Sequence, residues 1–312
     1  MQARIGLLIL VGLFSTIHIR ASASDQGKYV KVFLETTAKV NAVLKSDHEP
    51  VLTFDENRLA VAFSFDRLRK RNLATVSSSS GISVEIDPES MAVTSFSRDI
   101  PLELLGSYDA PPKPSWSKEQ AIAQAKIWVK CFLGYLPTNI KGPTIEFSPQ
   151  MNLPKYRDGQ WEIRWQRIDL QGHIFDQDSI YLILNEKFGI TFLGYNFVSA
   201  FTEGQKVVLS REQAIDLGRE SALKILQNPM AASWLPGARL GAVASAGIYV
   251  VNPNHILRYK SLDEMITAPD TTARLAWVIK YQAVDPSGNS GSHDVGVWID
   301  TETKEMLGGD FQ

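Results

Sequence analysis

The sequence predicts an α+β protein: tandem repeats of one helix packed on an antiparallel sheet. Three observations point there. The hexamer S-[KR]-E-Q-A-I occurs twice, starting at Ser117 and at Ser210. A strand-like pattern W-x-I-x-[WY]-Q follows each copy, from Trp161 and from Trp277. A hairpin-like stretch then follows each strand, Asp178 to Tyr195 and Asp294 to Phe311. A helix and a few antiparallel strands bury themselves only by packing one face against the other.

Residues 1–23 read as a signal peptide. Arg4 supplies a basic start, and Ile5 to Phe14 is an apolar run too short for an ordinary membrane span. Ala21 to Ala23, "ASA", fits a cleavage site and sets the mature start near Ser24. The competing reading is an uncleaved anchor. No second long apolar segment occurs, so no stable membrane anchor is expected after signal removal. The expectation is a secreted or periplasmic protein of a bacterial envelope. The formal charge of −2 gives no basic surface for nucleic acid. Cys131 is the single cysteine, so no intrachain disulfide is available. It lies in the apolar helical stretch WVKCFLGYL and reads as a buried, inert thiol.

The first unit, 24–108, is the least regular. It has a helix over Tyr29 to Leu44, a strand over Arg58 to Phe65, and a hairpin over Gly81 to Phe96 with Asp87 at its turn. Ser77 to Ser80 reads as a loop. Phe65 to Asn72, with four basic residues, reads as a solvated loop or, alternatively, a patch for an acidic partner. A Pro-rich link, Gly106 to Ser115, follows.

The middle unit, 114–202, opens on a capping box formed by Ser117 and Gln120. Ile122, Ala125, Val129 and Phe132 then recur at helical spacing. The last unit, 208–312, repeats the box with Ser210 and Gln213, and its stripe is Ile215, Ala222, Ile225 and Leu226. It carries a longer helix-to-strand connection, in which Gly241 to Asn254 adds a strand. Asn185 and Asp300 mark the turns of the two hairpins. The "GGD" at Gly308 to Asp310 reads as a turn.

The order of elements and the hairpin residues resemble the PepSY-type domain of secreted-peptidase propeptides, whose outline is similar to cystatin-like folds. In the middle unit Trp161, Arg167, Gly172, Asp178, Asn185 and Gly189 fall where that pattern has a Trp strand, an Arg, a Gly turn, an acid before the strand, and a [DN]-x-x-x-G turn. In the last unit Glu305 stands where the turn glycine is expected. The resemblance implies binding or inhibitory modules, often acting on a peptidase. No catalytic residues are associated with such domains, so none carry over.

The chain has no H-E-x-x-H, G-x-S-x-G, C-x-x-C or P-loop motif. No cofactor is expected. The residual polar cluster is GHIFDQD, whose His173, Asp176 and Asp178 are the metal-ligand candidates by residue type. His293 and Asp294 form a second, smaller one. His48 and His255 sit in connecting segments. Trp161, Trp165, Trp277 and Tyr281 alternate on strands, as core residues or as a stacking platform. The reading is an exported non-enzymatic module that binds a peptidase or another envelope protein through a sheet edge. The alternatives are a scaffold for a small ligand or cell-wall polymer and, last, a hydrolase with a site assembled across units.

Overall fold

The computed structural model describes residues 23–66, 71–152, 155–197, 199–228, 236–258, 272–284 and 290–311. Apart from Ala23, the expected signal peptide lies outside them.

Among the described residues the fold is α+β, with three α-helices and one large mixed sheet. Helix α1 (Ala23–Ser46) precedes β1 (Leu59–Asp66), β2 (Arg71–Ser78), β3 (Ile82–Ile86) and β4 (Val93–Arg98). A two-residue β5 (Ser107–Tyr108) leads to α2 (Lys118–Leu133), then β6 (Ile140–Asn152), β7 (Lys155–Ile168), β8 (Ile174–Asn185) and β9 (Gly189–Asn196). Helix α3 (Arg211–Gln227) precedes β10 (Arg239–Val251), β11 (Arg274–Val284), β12 (Ser290–Asp300) and β13 (Met306–Phe311). A helix followed by a four-stranded antiparallel meander thus occurs three times.

Both capping boxes form. The Ser117 hydroxyl accepts from the Gln120 amide, and the Gln120 side chain accepts from the Ser117 amide at 2.7 Å. Ser210 and Gln213 make the same exchange. The buried stripes differ from the expected ones. They centre on Ala121, Ala125, Trp128 and Val129 in α2, and on Ala214, Gly218, Ala222 and Ile225 in α3. Small residues let the helix axis approach the sheet. A side chain at Gly218 would press on Tyr281, whose hydroxyl donates to the Ile215 carbonyl at 2.6 Å.

Several elements correct the sequence reading. Ser77 and Ser78 lie in β2, not in a loop. Phe65 and Asp66 close β1, and Arg71 and Asn72 open β2; residues 67–70 of the expected basic loop are outside the described set. Strand β6 was not expected. The "GGD" run sits within β13 rather than in a turn, and His293 lies in β12 opposite Ala283.

The first two meanders join edge to edge through β4 and β9, antiparallel, with Phe96 opposite Leu193. Helices α1 and α2 lie over this joint sheet and share one core, which runs from Phe33, Val40 and Leu44 through Trp128 to Trp161, Ile163 and Leu182. Helix α3 has its own core with Ile279, Tyr281, Val295 and Val297. The two parts meet where β9 leaves β8. There β10 takes the vacated edge in parallel, through Tyr249 opposite Ile174 and Val250 opposite Phe175. Phe175, Val250, Ala273 and Leu275 seal that seam.

The last hairpin turn of each meander, β3–β4, β8–β9 and β12–β13, has one shared geometry. Asp87, Asn185 and Asp300 each place a side-chain oxygen on the backbone amides two and three residues ahead. The residue four ahead is left-handed in each: Met91 (φ 57°), Gly189 (φ 69°) and Lys304 (φ 66°). The residue equivalent to the turn glycine is therefore Lys304, not Glu305. The Asx side chain supplies the acceptors that hold the turn, so glycine is dispensable there at a cost in backbone strain.

Candidate functional site

A sheet edge presents unpaired amides and carbonyls, and soluble proteins block such edges unless they are used. Among the described residues β1, the two-residue β5, β6 and β13 each have one unpaired side, and so does β10 from Arg239 to Ile248, which there pairs only with β11. Strands β6 and β13 are blocked. Strand β6 carries Pro143 and Pro149, Lys141 and Glu146, and two irregularities in its register with β7. Strand β13 is covered by its own chain: the His255 amide donates to the Leu307 carbonyl at 2.9 Å, and Asn254 exchanges two hydrogen bonds with Gly309.

Strand β1 differs. Its run LAVAFSF, Leu59 to Phe65, holds no charge and no proline. It pairs with β2 on one side, and among the described residues nothing pairs with the other. Leu59, Val61 and Phe63 pack toward the shared core, with Phe63 edge-on to Tyr29 of α1 at 5.4 Å. Ala60 and Ala62 are exposed on the opposite face, and Phe65 is 39% exposed.

The three metal-ligand candidates do not converge. Asp178 is fully buried and belongs to an ion pair with Arg167 at 2.8 Å. Its second oxygen accepts from the Ser199 hydroxyl at 2.8 Å. The Arg167 guanidinium lies 4.1 Å from the Phe175 ring centre and also donates to the Ser199 carbonyl. Asn252, just after β10, donates to the Ser199 hydroxyl, which ties this network to the last part of the chain. His173 pairs with Asp169, Nδ1 to Oδ2, at 2.7 Å. Asp176 is half-buried. Burial and the Asp310 charge push its carboxyl up, against Lys280 and Arg164. Among the described residues no three His, Cys, Asp or Glu side chains form a metal-sized group.

Other buried charges are also engaged. Asp158 accepts from the Gly106 amide, the Tyr108 hydroxyl and the Lys187 ammonium, which pins the Pro-rich link to the β8–β9 turn. Glu186 does the same for Ser115 and Trp116, and also accepts from the Trp161 indole at 2.8 Å. Asp300 pairs with Arg274 at 2.8 Å. Glu49 tucks against the β8–β9 turn, where any side chain at Gly189 would strike its carboxylate. Burial first, then Asp47, pushes the Glu49 carboxyl up to about 7, with Arg98 opposing. Burial brings Arg98 down to about 10. Cys131 is half-buried, and burial raises its thiol.

The aromatic platform is absent from the surface. Trp161, Trp165 and Tyr281 are buried, and the half-buried Trp277 donates its indole N–H to the Leu209 carbonyl at 2.8 Å. The open β1 edge was not legible from sequence. The signal that could have found it is an uncharged alternating run with neither proline nor lysine.

No family model matches this chain. The comparison with curated proteins likewise gave no match. Solved structures similar to it include two from bacteria. The C-terminal domain of Bacillus megaterium YpeB is 10% identical, with 81% of this chain and 88% of that one covered and a TM-score of 0.35. An uncharacterized protein from Eubacterium rectale is 12% identical, with 94% and 84% covered and a TM-score of 0.46.

Proposed function

We propose that this protein is an exported, non-enzymatic binding module of three PepSY-like units. It takes an extended segment of a peptidase or another envelope protein as an added strand on β1. The observation that carries this is the uncharged run of β1, which among the described residues pairs with β2 on one side and with no strand on the other along its whole length. Main-chain hydrogen bonds then supply affinity, and alternate side chains supply selectivity. A partner strand with apolar residues at every second position extends the Leu59, Val61, Phe63 row toward α1. The engagement of Asp158, Asp169, Asp178 and Asp300 with cations or histidine favours structural over catalytic roles for them.

The test is capture of envelope proteins on the immobilised mature chain, compared with Ala62→Pro and Ala62→Lys. The parent should retain a partner that both variants lose while circular dichroism stays unchanged. A partner held equally by all three would overturn strand addition at β1.

A further inference from the structure

We propose that a cleft beside the C-terminal half of α3 binds a small phosphate ester, with the phosphate held among Lys224, His255 and Arg258. This goes beyond the strand-addition reading of β1 and does not depend on it.

The cleft encloses about 250 Å³. Helix α3 lines one side with Ser221 and Lys224. The short turn Ile256–Arg258 and the preceding His255 line the other, and β13 supplies Gly308. Among the described residues every ionisable side chain on its wall is of a basic type, and no carboxylate lines it. The basic wall is anchored from two directions. The His255 amide donates to the Leu307 carbonyl at 2.9 Å, and Asn254 exchanges two hydrogen bonds with Gly309. From α3, the buried Asn228 side chain donates to the Ile256 carbonyl at 3.4 Å. The Arg258 amide closes the turn onto the His255 carbonyl at 2.8 Å, which keeps both residues at the cleft. His255 is left-handed, with φ 48°. That backbone is costly outside glycine, so it persists because these bonds fix it. Gly308 leaves the space Asn254 needs: a Cβ there would collide with the Asn254 side-chain oxygen.

Charge and size select the ligand. Cations gathered round one space repel each other until an anion enters it. Lys224 pairs with Glu220 at 2.7 Å, but on the open helix surface, with the two side chains 58% and 75% exposed. Such pairs are weak and yield to a better anion. An arginine fork beside an ammonium suits a phosphate, whose oxygens accept from several donors at once. The Ser221 hydroxyl and the His255 imidazole add donors on the same wall. One water takes about 30 Å³ of liquid, so the cleft has room for a phosphate and an organic substituent of a few atoms. Leu257 and Met306 give that substituent apolar contact.

Isothermal titration calorimetry of the mature chain with glycerol 3-phosphate tests this. The parent should bind it more tightly than inorganic phosphate, which lacks the substituent, and more tightly than glycerate, a carboxylate of similar size. Lys224→Gln and Arg258→Gln should each weaken binding about tenfold. Both side chains are exposed, so circular dichroism should stay unchanged. Arg219→Gln removes the same charge from the other flank of α3, beside Arg239, and should bind as the parent does. A parent that does not bind glycerol 3-phosphate, affinity unchanged in both cleft variants, or an equal loss in Arg219→Gln would overturn the proposal. Inorganic phosphate or glycerate held as tightly as the ester would overturn the ligand class. None of these changes touches β1, so the strand-addition test stands or fails separately.

Discussion

Arg167 and Asp178 form a buried ion pair at 2.8 Å, and the guanidinium rests on Phe175 beside the seam where β10 meets β8. Removing one partner strands the other charge. Asp178→Ala should cost about 2–4 kcal/mol in a urea melt, whereas the paired change Asp178→Leu with Arg167→Met should cost less than the single one. If these residues held a metal instead, chelator would shift the parent's midpoint, and the paired change would abolish that shift.

Trp161 is 2% exposed and anchors its indole on Glu186. Trp161→Ala should destabilise the protein by about 3–5 kcal/mol through the cavity it leaves. An unchanged denaturation midpoint would remove Trp161 from the core.

Lys304 is exposed and left-handed at the position held by Gly189 in the preceding hairpin. Lys304→Gly should relieve that strain and raise stability by about 0.5–1 kcal/mol. Met91 has the same backbone but packs on the core, so Met91→Gly should give no such gain.

Glu49 ties stability to pH. Its carboxyl is raised from 4.5 to about 7, so the folded chain binds this proton more tightly than the unfolded one. Its contribution is fullest below pH 4.5, falls as pH rises from there to about 7, and is flat above. Thermal melts of Glu49→Gln should lose this component of the slope. A slope identical to the parent's would place the titration elsewhere.

What could be read from sequence was local. The caps at Ser117 and Ser210 need only a serine and a glutamine three residues apart, and both formed. The turns at Asp87, Asn185 and Asp300 were legible for the same reason. Strand β2 was hidden because its Ser-rich end looks like a loop, and β6 because its prolines argue against a strand. The joins of β4 to β9 and of β10 to β8 are tertiary, with no local signature. Candidate ligands were chosen by residue type, and type cannot reveal that Asp178 faces Arg167 or that His173 faces Asp169. The uncharged alternating run of β1 is visible in the sequence, but whether its outer side is paired depends on what lies beside it in the fold.

The seam between β8 and β10 sets how the protein responds to mechanical load. Among the described residues two register pairs join β8 to β10, against eight between β1 and β2. A pull separating the α3 meander from the rest loads those two pairs, the bridge between Phe201 and Ala273, the small apolar seal around Phe175 and the bonds of Asn252 to Ser199 and Gln177, before any meander is unzipped. The seam is therefore the weak link under tension, and rupture there would release two intact folded bodies, each keeping its own core.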